Sequence, residues 1–335
     1  MTLSEASSDP SVITPAAATA PVTVAVVSWN TRELLAECLS SLERDARGGI
    51  ADVWVVDNAS DDGSADLVER RFEWVSLIRS SRNLGFGPAV NLVAARTSSA
   101  WLAPANADVR ITEGALRRLL AEGDRHPEAA VIAPRLLLPD GETQHSVYPF
   151  PSLPFTIAYL CGAVTASRRL ARRWCIGRGF DPSARREVPW AVGAFLLVRR
   201  AAWVEIGGFD EQQWMYAEDV DLGWRLRRAG WTARYEPEAR VHHSESASTT
   251  QAWGDQRHVR WHASTYAWLV RRRGPVFAHT IAAVNVLGFS LRAAMWSPLA
   301  LAGSGRARRG LRFGLDAARA HAVGLRPSSA LLRVR

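Results

Sequence analysis

The chain has 335 residues, of which 47% are hydrophobic and 22% are charged, as in a soluble globular protein with a large core. Its three cysteines have no metal-ligand spacing and form no disulfide framework, which indicates a reducing, cytoplasmic setting. The net charge of +8 is unevenly placed. Fourteen arginines against two aspartates give residues 255–335 a charge of +12, so the first 254 residues carry −4.

The first 20 residues are rich in Ala, Ser, Thr and Pro, with no basic segment followed by an apolar core. They predict a disordered leader and not a signal peptide. We expect a catalytic domain over residues 21–253 and a helical, arginine-rich region over residues 254–335.

Short apolar runs alternate with helical patterns along the first third of the chain. The predicted strands are 22–28, 52–56, 75–78 and 101–105. The first predicted helix begins after Asn30, which resembles a cap together with Glu33. Two further predicted helices span 65–72 and 89–95. This alternation predicts an α/β fold with a doubly wound, mostly parallel sheet flanked by helices. Further along, the pattern predicts a hairpin turn near 136–141 and strands at 195–198 and 231–235.

Polar residues follow three of the predicted strands: Ser28, Asp57 and the triplet from Asn106 to Asp108. Ligands of such sheets bind beyond the carboxyl ends of the strands, so these residues predict a polar binding edge. Asp108 is a candidate ligand for Mg²⁺ or Mn²⁺, which prefer oxygen ligands and share them with substrate phosphates. Asp57 can accept hydrogen bonds from a base or a ribose. Asn and Asp also simply form turns, and that alternative stays open.

The segment from Asn83 to Asn91 is a loop that enters a predicted helix. Gly85 and Gly87 would let the backbone approach a ligand closely. A plain connecting loop is the other interpretation.

The segment 214–226 places three acidic residues, Glu218, Asp219 and Asp221, at the start of a predicted helix that Gly230 ends. A carboxylate positioned in this way can act as a general base. The acids could instead only complement the helix dipole. Downstream, His242 and His243 lie at the end of a predicted strand. They could contact a metal or a diphosphate, or they could have only a structural role. Strand alternation would direct only one of them into a site.

The stretch 276–302 is apolar but interrupted by polar residues, so its uninterrupted parts are shorter than a bilayer requires. Arginines at 271–273 and 306–312 flank it, together with aromatic residues. This pattern predicts either an interfacial region on an anionic membrane surface or helices that pack on the catalytic domain or a second subunit.

In order, seven segments resemble glycosyltransferase family 2, whose members use nucleotide sugars. They cover residues 26–30, 56–64, 83–87, 106–109, 190–200, 207–211 and 214–226. Within the family, the chain is most similar to bacterial rhamnosyltransferases that use dTDP-rhamnose, including the actinobacterial branch acting on polyprenyl-diphosphate-GlcNAc. The resemblance implies a GT-A fold, a Rossmann-like mostly parallel sheet with a C-terminal helical extension. It also implies an inverting transferase on the inner face of the plasma membrane.

The resemblance also implies roles for the donor side of the site. Asp57 would contact the nucleotide base with Ser28 nearby, and Asn83 and Gly85 would line the donor. Asp108 would hold Mg²⁺ or Mn²⁺ across the donor diphosphate, with Asn106 in place of the first acid of the usual Asp-x-Asp motif.

On the acceptor side, the resemblance makes Asp219 the general base and Glu218 the residue that orients the acceptor. Gly193 and Ala194 would line the acceptor, and His242 or His243 would approach the metal. The acceptor would be a glycan or a lipid-linked sugar in cell-wall or polysaccharide synthesis.

Other functions remain open at the level of sequence. A family 2 transferase that uses a UDP-sugar fits the same motifs. An arginine-rich nucleic-acid-binding protein is a remote alternative, because the arginines are confined to the tail and the strand-end acids would repel phosphate. We therefore expect no nucleic acid partner, and a homo-oligomer is one alternative for the tail. A nucleotidyltransferase would need a basic glycine-rich loop, which residues 28–31 lack.

Overall fold

The computed structural model describes residues 20–244 and 257–333. The predicted leader lies outside the described residues apart from Ala20, and so does the predicted domain boundary at 253. The strands are β1 Val22–Ser28, β2 Ala51–Asp57, β3 Ser76–Arg79, β4 Trp101–Asn106, β5 Val109–Ile111, β6 Ala129–Leu137, β7 Val147–Tyr148, β8 Arg186–Val188, β9 Trp190–Ala191, β10 Leu197–Arg199 and β11 Thr232–His243.

The α-helices of residues 20–244 are α1 Arg32–Arg47, α2 Ser64–Arg71, α3 Phe86–Ala94, α4 Ala115–Arg125, α5 Leu153–Leu160, α6 Ala163–Ala166, α7 Arg168–Arg173, α8 Arg200–Ile206 and α9 Glu218–Arg228. The C-terminal helices are α10 Arg257–Arg273, α11 Pro275–Leu301, α12 Gly305–Ala322 and α13 Ser328–Leu331. The C-terminal part is therefore helical, as predicted.

The central sheet has the strand order β3-β2-β1-β4-β10-β6-β11-β5, with β8 paired to β11. Strands β3, β2, β1 and β4 are parallel, and so are β6 and β11. Strand β10 runs antiparallel to both of its neighbours, and β5 and β8 run antiparallel to β11. The prediction of a mostly parallel sheet is confirmed for the first half of the chain, whereas the second half is mixed.

Helices cover both faces of the sheet. Successive side chains of a strand project to opposite faces, and both faces are apolar, so each face must be buried under helices. Val24 and Val26 of β1 pack with α1, α2 and α4, whereas Ala25 packs on the other face with α3, α8 and α9. The two faces together bury the hydrophobic core, and the parallel strands are buried almost throughout.

The structure beyond β4 differs from the prediction. Strands β5, β6, β7, β8 and β9 were not predicted, and β11 extends to His243 instead of ending at Tyr235. The register of β11 on β6 shifts between Glu236 and Arg240, and its last residues also pair with β5. The predicted turn near 136–141 is confirmed, since Leu137 bridges to Thr143 across it.

The C-terminal helices bury their own apolar cluster against the N-terminal part of the chain. Tyr266, Trp268 and Ile281 pack there with Ala217 and Val220, which belong to the start of α9. By length and composition, α11 is the one helix of the described residues that could cross a membrane, and 33% of its most apolar window is buried. The polar residues that interrupt the apolar stretch lie within one continuous helix of 27 residues, and its contact with a membrane stays a prediction.

Candidate active site

The carboxyl ends of β1, β2 and β4 bring three of the predicted residues to one edge of the sheet. Ser28 lies opposite Asp57 in the β1–β2 register, and Val27 lies opposite Asn106 in the β1–β4 register. Parallel pairing requires this arrangement, because the ends of neighbouring parallel strands meet at the same edge.

Asp57 is a buried hydrogen-bond acceptor at this edge. It is 4% exposed, and its Oδ2 accepts a hydrogen bond of 3.1 Å from the Ser60 backbone N–H. Its Oδ1 is buried and has no hydrogen-bond partner among the described residues. Burial raises the pKa of the Asp57 carboxyl, and the hydrogen bonds from Ser60 oppose that shift. One oxygen atom thus remains to accept a hydrogen bond from a ligand.

The glycine loop is held against this edge by Asn58, a residue to which the sequence analysis gave no role. Asn58 Nδ2 donates to the Gly85 carbonyl at 3.1 Å, and its Oδ1 accepts from the Leu84 N–H at 3.3 Å. Asn83 Oδ1 accepts from the Gly85 N–H at 2.9 Å and shapes the turn.

Gly85 has a φ of +86°, and a Cβ there would overlap the Trp214 carbonyl oxygen. Only glycine permits this approach of the loop to the segment before α9.

Asp108 lies beside His243 just beyond β4. The Asp108 Oδ1 and His243 Nε2 atoms are 3.4 Å apart, and both residues are buried. His243 Nδ1 lies 2.8 Å from Gln144 Oε1, which can only accept a hydrogen bond, so Nδ1 carries the proton. Nε2 is the ring nitrogen that faces the Asp108 carboxylate.

His243, and not His242, therefore lies beside Asp108. Successive residues of β11 project to opposite faces, so His242 projects away from that carboxylate. Among the described residues, no group of three or more His, Cys, Asp and Glu side chains could hold a metal ion. An Asp oxygen and an imidazole nitrogen are nevertheless suitable donors for Mg²⁺ or Mn²⁺ when substrate phosphates supply the other ligands.

Asp219 lies in the first turn of α9 and is connected to the sheet edge by hydrogen bonds. Its Oδ2 accepts from the Gly193 N–H at 3.1 Å, and the neighbouring Ala194 carbonyl accepts from the Asn106 N–H at 2.9 Å. Asp219 Oδ1 accepts from the Val220 N–H at 2.8 Å. Burial raises the pKa of Asp219, and the backbone hydrogen bonds oppose that shift. A carboxylate with a raised pKa is a stronger base.

Glu218 adjoins Asp219 and is held in an unusual backbone. Tyr216 and Ala217, directly before it, have φ values of +63° and +62°, a region that non-glycine residues seldom adopt. Burial and the negative charge of Asp219 raise the pKa of Glu218 to about 8. A strained turn therefore positions two adjacent carboxyl groups whose pKa values are raised. Raised pKa values of this kind are common at functional sites.

The third acid of this helix, Asp221, has a structural role. It is fully buried and accepts hydrogen bonds from Arg225 Nε at 2.6 Å, Arg272 Nε at 2.6 Å and Trp268 Nε1 at 2.9 Å. Arg272 also pairs with Asp210 at 2.6 Å. These contacts fasten α9 to α10 of the C-terminal region.

The sequence analysis missed Asn58, Gln144 and the partners of Asp221. Asn58 directly follows the predicted strand-end acid, so its position was a usable signal. Gln144 and Arg272 gave none, because each acts on a residue far away along the chain: 99 positions for Gln144 and His243, and 51 for Arg272 and Asp221.

Comparisons with known proteins agree with this geometry. The chain matches the family model described as glycosyl transferase family 2 over residues 23–171, and that of glycosyl transferase family group 2 over residues 106–305. It is 33% identical over 276 residues to the N-acetylglucosaminyl-diphospho-decaprenol L-rhamnosyltransferase of Mycobacterium tuberculosis, covering 74% of this chain and 84% of that one. It is 37% identical over 91 residues to the rhamnosyltransferase WbbL of Escherichia coli, covering 26% of this chain and 32% of that one.

Among solved structures, the fold is similar to the mannosyltransferase PcManGT of Pyrobaculum calidifontis in complex with GDP-Man and Mn²⁺. The TM-score is 0.57 at 18% identity, over 92% of this chain and 89% of that one. GalNAc-T7 with UDP, GalNAc and Mn²⁺ gives a TM-score of 0.50 at 15% identity, over 72% of this chain and 50% of that one. These neighbours share the GT-A fold. The chain is therefore a glycosyltransferase that belongs to family 2.

Proposed function

We propose that the chain is an inverting transferase that moves L-rhamnose from dTDP-rhamnose to a sugar on a polyprenyl diphosphate. The observation that carries the proposal is the common location of Asp57, Asp108 and Asp219. They come from distant parts of the sequence but lie along one edge of the sheet, linked through Asn106 and Ala194. A donor, a metal and an acceptor need such a shared edge to react.

On the donor side, Asp57 binds the nucleotide. Its buried Oδ1 accepts a hydrogen bond from the N–H of the pyrimidine base, and Ser28 lies beside it. The loop of Asn83 and Gly85, held by Asn58, forms the wall next to the donor.

Asp108 and the Nε2 of His243 would hold Mg²⁺ or Mn²⁺, and Asn106 lies two residues before Asp108 in the sequence. The metal would neutralise the negative charge that develops on the departing diphosphate. Gln144 keeps the proton of His243 on Nδ1, so that Nε2 can ligate.

On the acceptor side, Asp219 is the general base. The N–H of Gly193 orients its carboxylate, which takes the proton from the acceptor hydroxyl as that oxygen attacks the anomeric carbon. Glu218 carries a proton at neutral pH, because its pKa is raised to about 8, and can donate a hydrogen bond to the acceptor. A single base without a carboxylate nucleophile corresponds to one displacement, with inversion.

Two observations support the sugar and the acceptor. Both relatives reported above carry rhamnosyltransferase in their names, and the mycobacterial one names a polyprenyl-linked acceptor, N-acetylglucosaminyl-diphospho-decaprenol. The thymidine nucleotide rests on the resemblance of the motifs alone.

The donor is tested by calorimetry with Mn²⁺, comparing dTDP-rhamnose, UDP-GlcNAc, UDP-galactose and GDP-mannose, followed by transfer to a polyprenyl-diphosphate-GlcNAc acceptor. We expect dTDP-rhamnose to bind most tightly and EDTA to weaken that binding. Tighter binding and turnover of a UDP-sugar would replace the proposed donor by the UDP alternative. Binding of DNA without metal-dependent nucleotide binding would contradict the transferase itself.

The division at about residue 253 is also part of the proposal. The catalytic domain would occupy residues 21–253, and residues 254–335 would place it on the inner face of the plasma membrane. On α11, Leu287, Leu291, Met295 and Leu299 are each more than half exposed at a spacing of four, so they form one apolar stripe. Arginines 306, 308, 309 and 312 follow at the start of α12 and would attract anionic lipids.

This placement is tested by sedimentation with phosphatidylglycerol vesicles at low salt. The double variant Leu287→Gln/Met295→Gln should release the protein, whereas Val204→Gln, an exposed apolar residue on α8, should not. A change of oligomeric state without a change in sedimentation would assign the stripe to a subunit interface.

A further inference from the structure

A concave site lies away from the sheet edge that carries Asp57 and Asn106. It has a volume of about 390 Å³ and is lined by Arg172, Arg173, Arg185, Arg186, Arg227 and the single acid Glu187. The arginines come from three elements: the end of α7, the start of β8 with its preceding loop, and the end of α9. We call it the arginine cavity.

Part of its positive charge is not neutralised by the protein. Arg185 pairs with Glu236 at 2.5 Å and with Glu238 at 3.1 Å. Among the other four arginines, Arg186 lies near Asp181, and Glu187 is the single acid that lines the cavity, which leaves an excess of two positive charges. Like charges held this close repel one another, so a cavity of this kind is favoured when an anion occupies it.

A buried donor in the cavity has no protein partner. Arg186 Nε is buried without a hydrogen-bond partner among the described residues. Its guanidinium is held over the Phe180 ring at 5.9 Å, and its NH1 donates to the Gly179 carbonyl at 3.3 Å. A fixed guanidinium with an unsatisfied N–H is a ready donor to an oxyanion.

The arginine cavity is separate from the proposed active site. Arg227 lies eight residues after Asp219 on α9, which places the two residues about 12 Å apart along the helix axis. Strand β8 pairs with the beginning of β11, whereas His243 is at its end.

We propose that the arginine cavity binds a phosphate group. Several planar guanidinium groups around one concave site match the oxygens of a multiply charged phosphate better than those of a single carboxylate. The phosphate can come from a soluble ion or from a lipid. A lipid source is accessible because the cavity lies near the helix that is proposed above to meet the membrane. Helix α7 is connected through α6 to α5, and α5 packs on α11 through Leu160 and Gly288.

The test compares two double variants with matched loss of charge. Arg172→Gln/Arg173→Gln removes two lining residues at the end of α7. Arg168→Gln/Arg169→Gln removes two exposed arginines at the start of the same helix, outside the cavity. Arg186→Gln is the third variant. Pyrophosphate binding is measured by calorimetry in EDTA, which removes metal-dependent binding at the donor site. Sedimentation is measured with phosphatidylcholine vesicles that contain phosphatidylglycerol.

Charge-assisted hydrogen bonds are strong, so we expect Arg172→Gln/Arg173→Gln and Arg186→Gln to weaken binding at least about tenfold, and Arg168→Gln/Arg169→Gln to change it less than about twofold. A selective loss of pyrophosphate binding identifies a soluble phosphate. A selective loss of vesicle binding alone identifies a lipid phosphate. Equal effects of the two double variants, or none, would overturn the proposal. Metal-dependent dTDP binding should survive in every variant, so a failure of the proposed transferase activity would be visible separately.

Discussion

The two halves of the proposed active site are built in different ways. On the donor side, Ser28, Asp57 and Asn106 end adjacent parallel strands, and short loops such as that of Ser60 orient them. On the acceptor side, Asp219 depends on Gly193, 26 residues away, and its helix depends on Arg272, 51 residues from Asp221. The donor side thus follows from local sequence and strand pairing, whereas the acceptor side requires the C-terminal helices to be in place.

This difference suggests that damage to the C-terminal helices should affect the acceptor side first. The start of α9 shares its apolar cluster with Trp268 and Tyr266, whereas Asp57 has no contact in that cluster. Local opening of such elements commonly precedes global unfolding. The following changes test the comparison, beginning with the largest expected effect.

Replacing the proposed base should separate the two halves most clearly. Asp219→Asn should lower kcat by about 10³-fold, within the range contributed by a general base. Donor binding in the presence of Mn²⁺ should stay close to wild type in calorimetry, because Asp57 and Asp108 are unchanged. Asp124→Asn, an exposed acid at the end of α4, is the control. An equal loss of donor affinity would remove Asp219 from the role of base.

Removing the buried charge of Asp221 should destabilise the acceptor side. Asp221→Asn leaves Arg225 and Arg272 without their shared counter-charge, which should cost about 3 kcal/mol of the free energy of unfolding in urea. The exposed pair of Asp316 and Arg319 is the matched control, and Asp316→Asn should change that free energy by less than about 0.5 kcal/mol. Equal effects would show that the Asp221 network does not hold α9 to α10.

The contact between the two halves is tested at Gly85. Gly85→Ala introduces a Cβ against the Trp214 carbonyl at positive φ, which should destabilise the protein by about 1–3 kcal/mol and weaken donor binding. Gly63→Ala has a similar φ of +80° but meets nothing within 4 Å, so it reports the backbone strain alone. If both variants lose the same stability, the approach of the loop to Trp214 contributes nothing.

The smallest expected effect is a dependence of stability on pH. The folded protein keeps the Glu218 proton up to a pKa of about 8, whereas the unfolded chain releases it near 4.5. The stability from this proton is therefore complete below pH 4.5 and lost as the pH rises through about 8. Glu218→Gln should gain Tm relative to wild type between pH 5 and pH 9. An unchanged difference in Tm across that range would contradict the raised pKa.

Much of the first half of the fold follows from sequence patterns. Apolar runs such as that of β1 are recognisable because both faces of a central parallel strand are buried, and the polar residues that follow mark the strand ends. The same reasoning found Asp57 and Asp108 as candidates, and the acidic start of a predicted helix found Asp219. It failed for β5, β7, β8 and β9, because strands of two or three residues are too short to show a period. It also failed for β6, because a continuous apolar run does not distinguish a buried strand from a buried helix.

The cap of α1 shows why neighbouring residues in the sequence are not enough to predict a helix end. Asn30 and Glu33 predict the cap, yet the Arg32 N–H donates to Asp62 Oδ2 at 2.9 Å, from the loop after β2. Asn30 Oδ1 instead accepts from the Asp61 N–H in the same loop. The Arg32 N–H at the start of the helix is therefore satisfied by the Asp62 side chain, 30 residues away, because β1 and β2 lie side by side.

The sequence by itself determined the strand–helix alternation, the acids at the strand ends and the family, since each depends on residue type and spacing along a short stretch. Only the tertiary structure decided that His243 rather than His242 faces Asp108, that Asp221 is structural, and that five arginines share one cavity. These outcomes depend on register and on which distant side chains meet, and neither is encoded in any single segment.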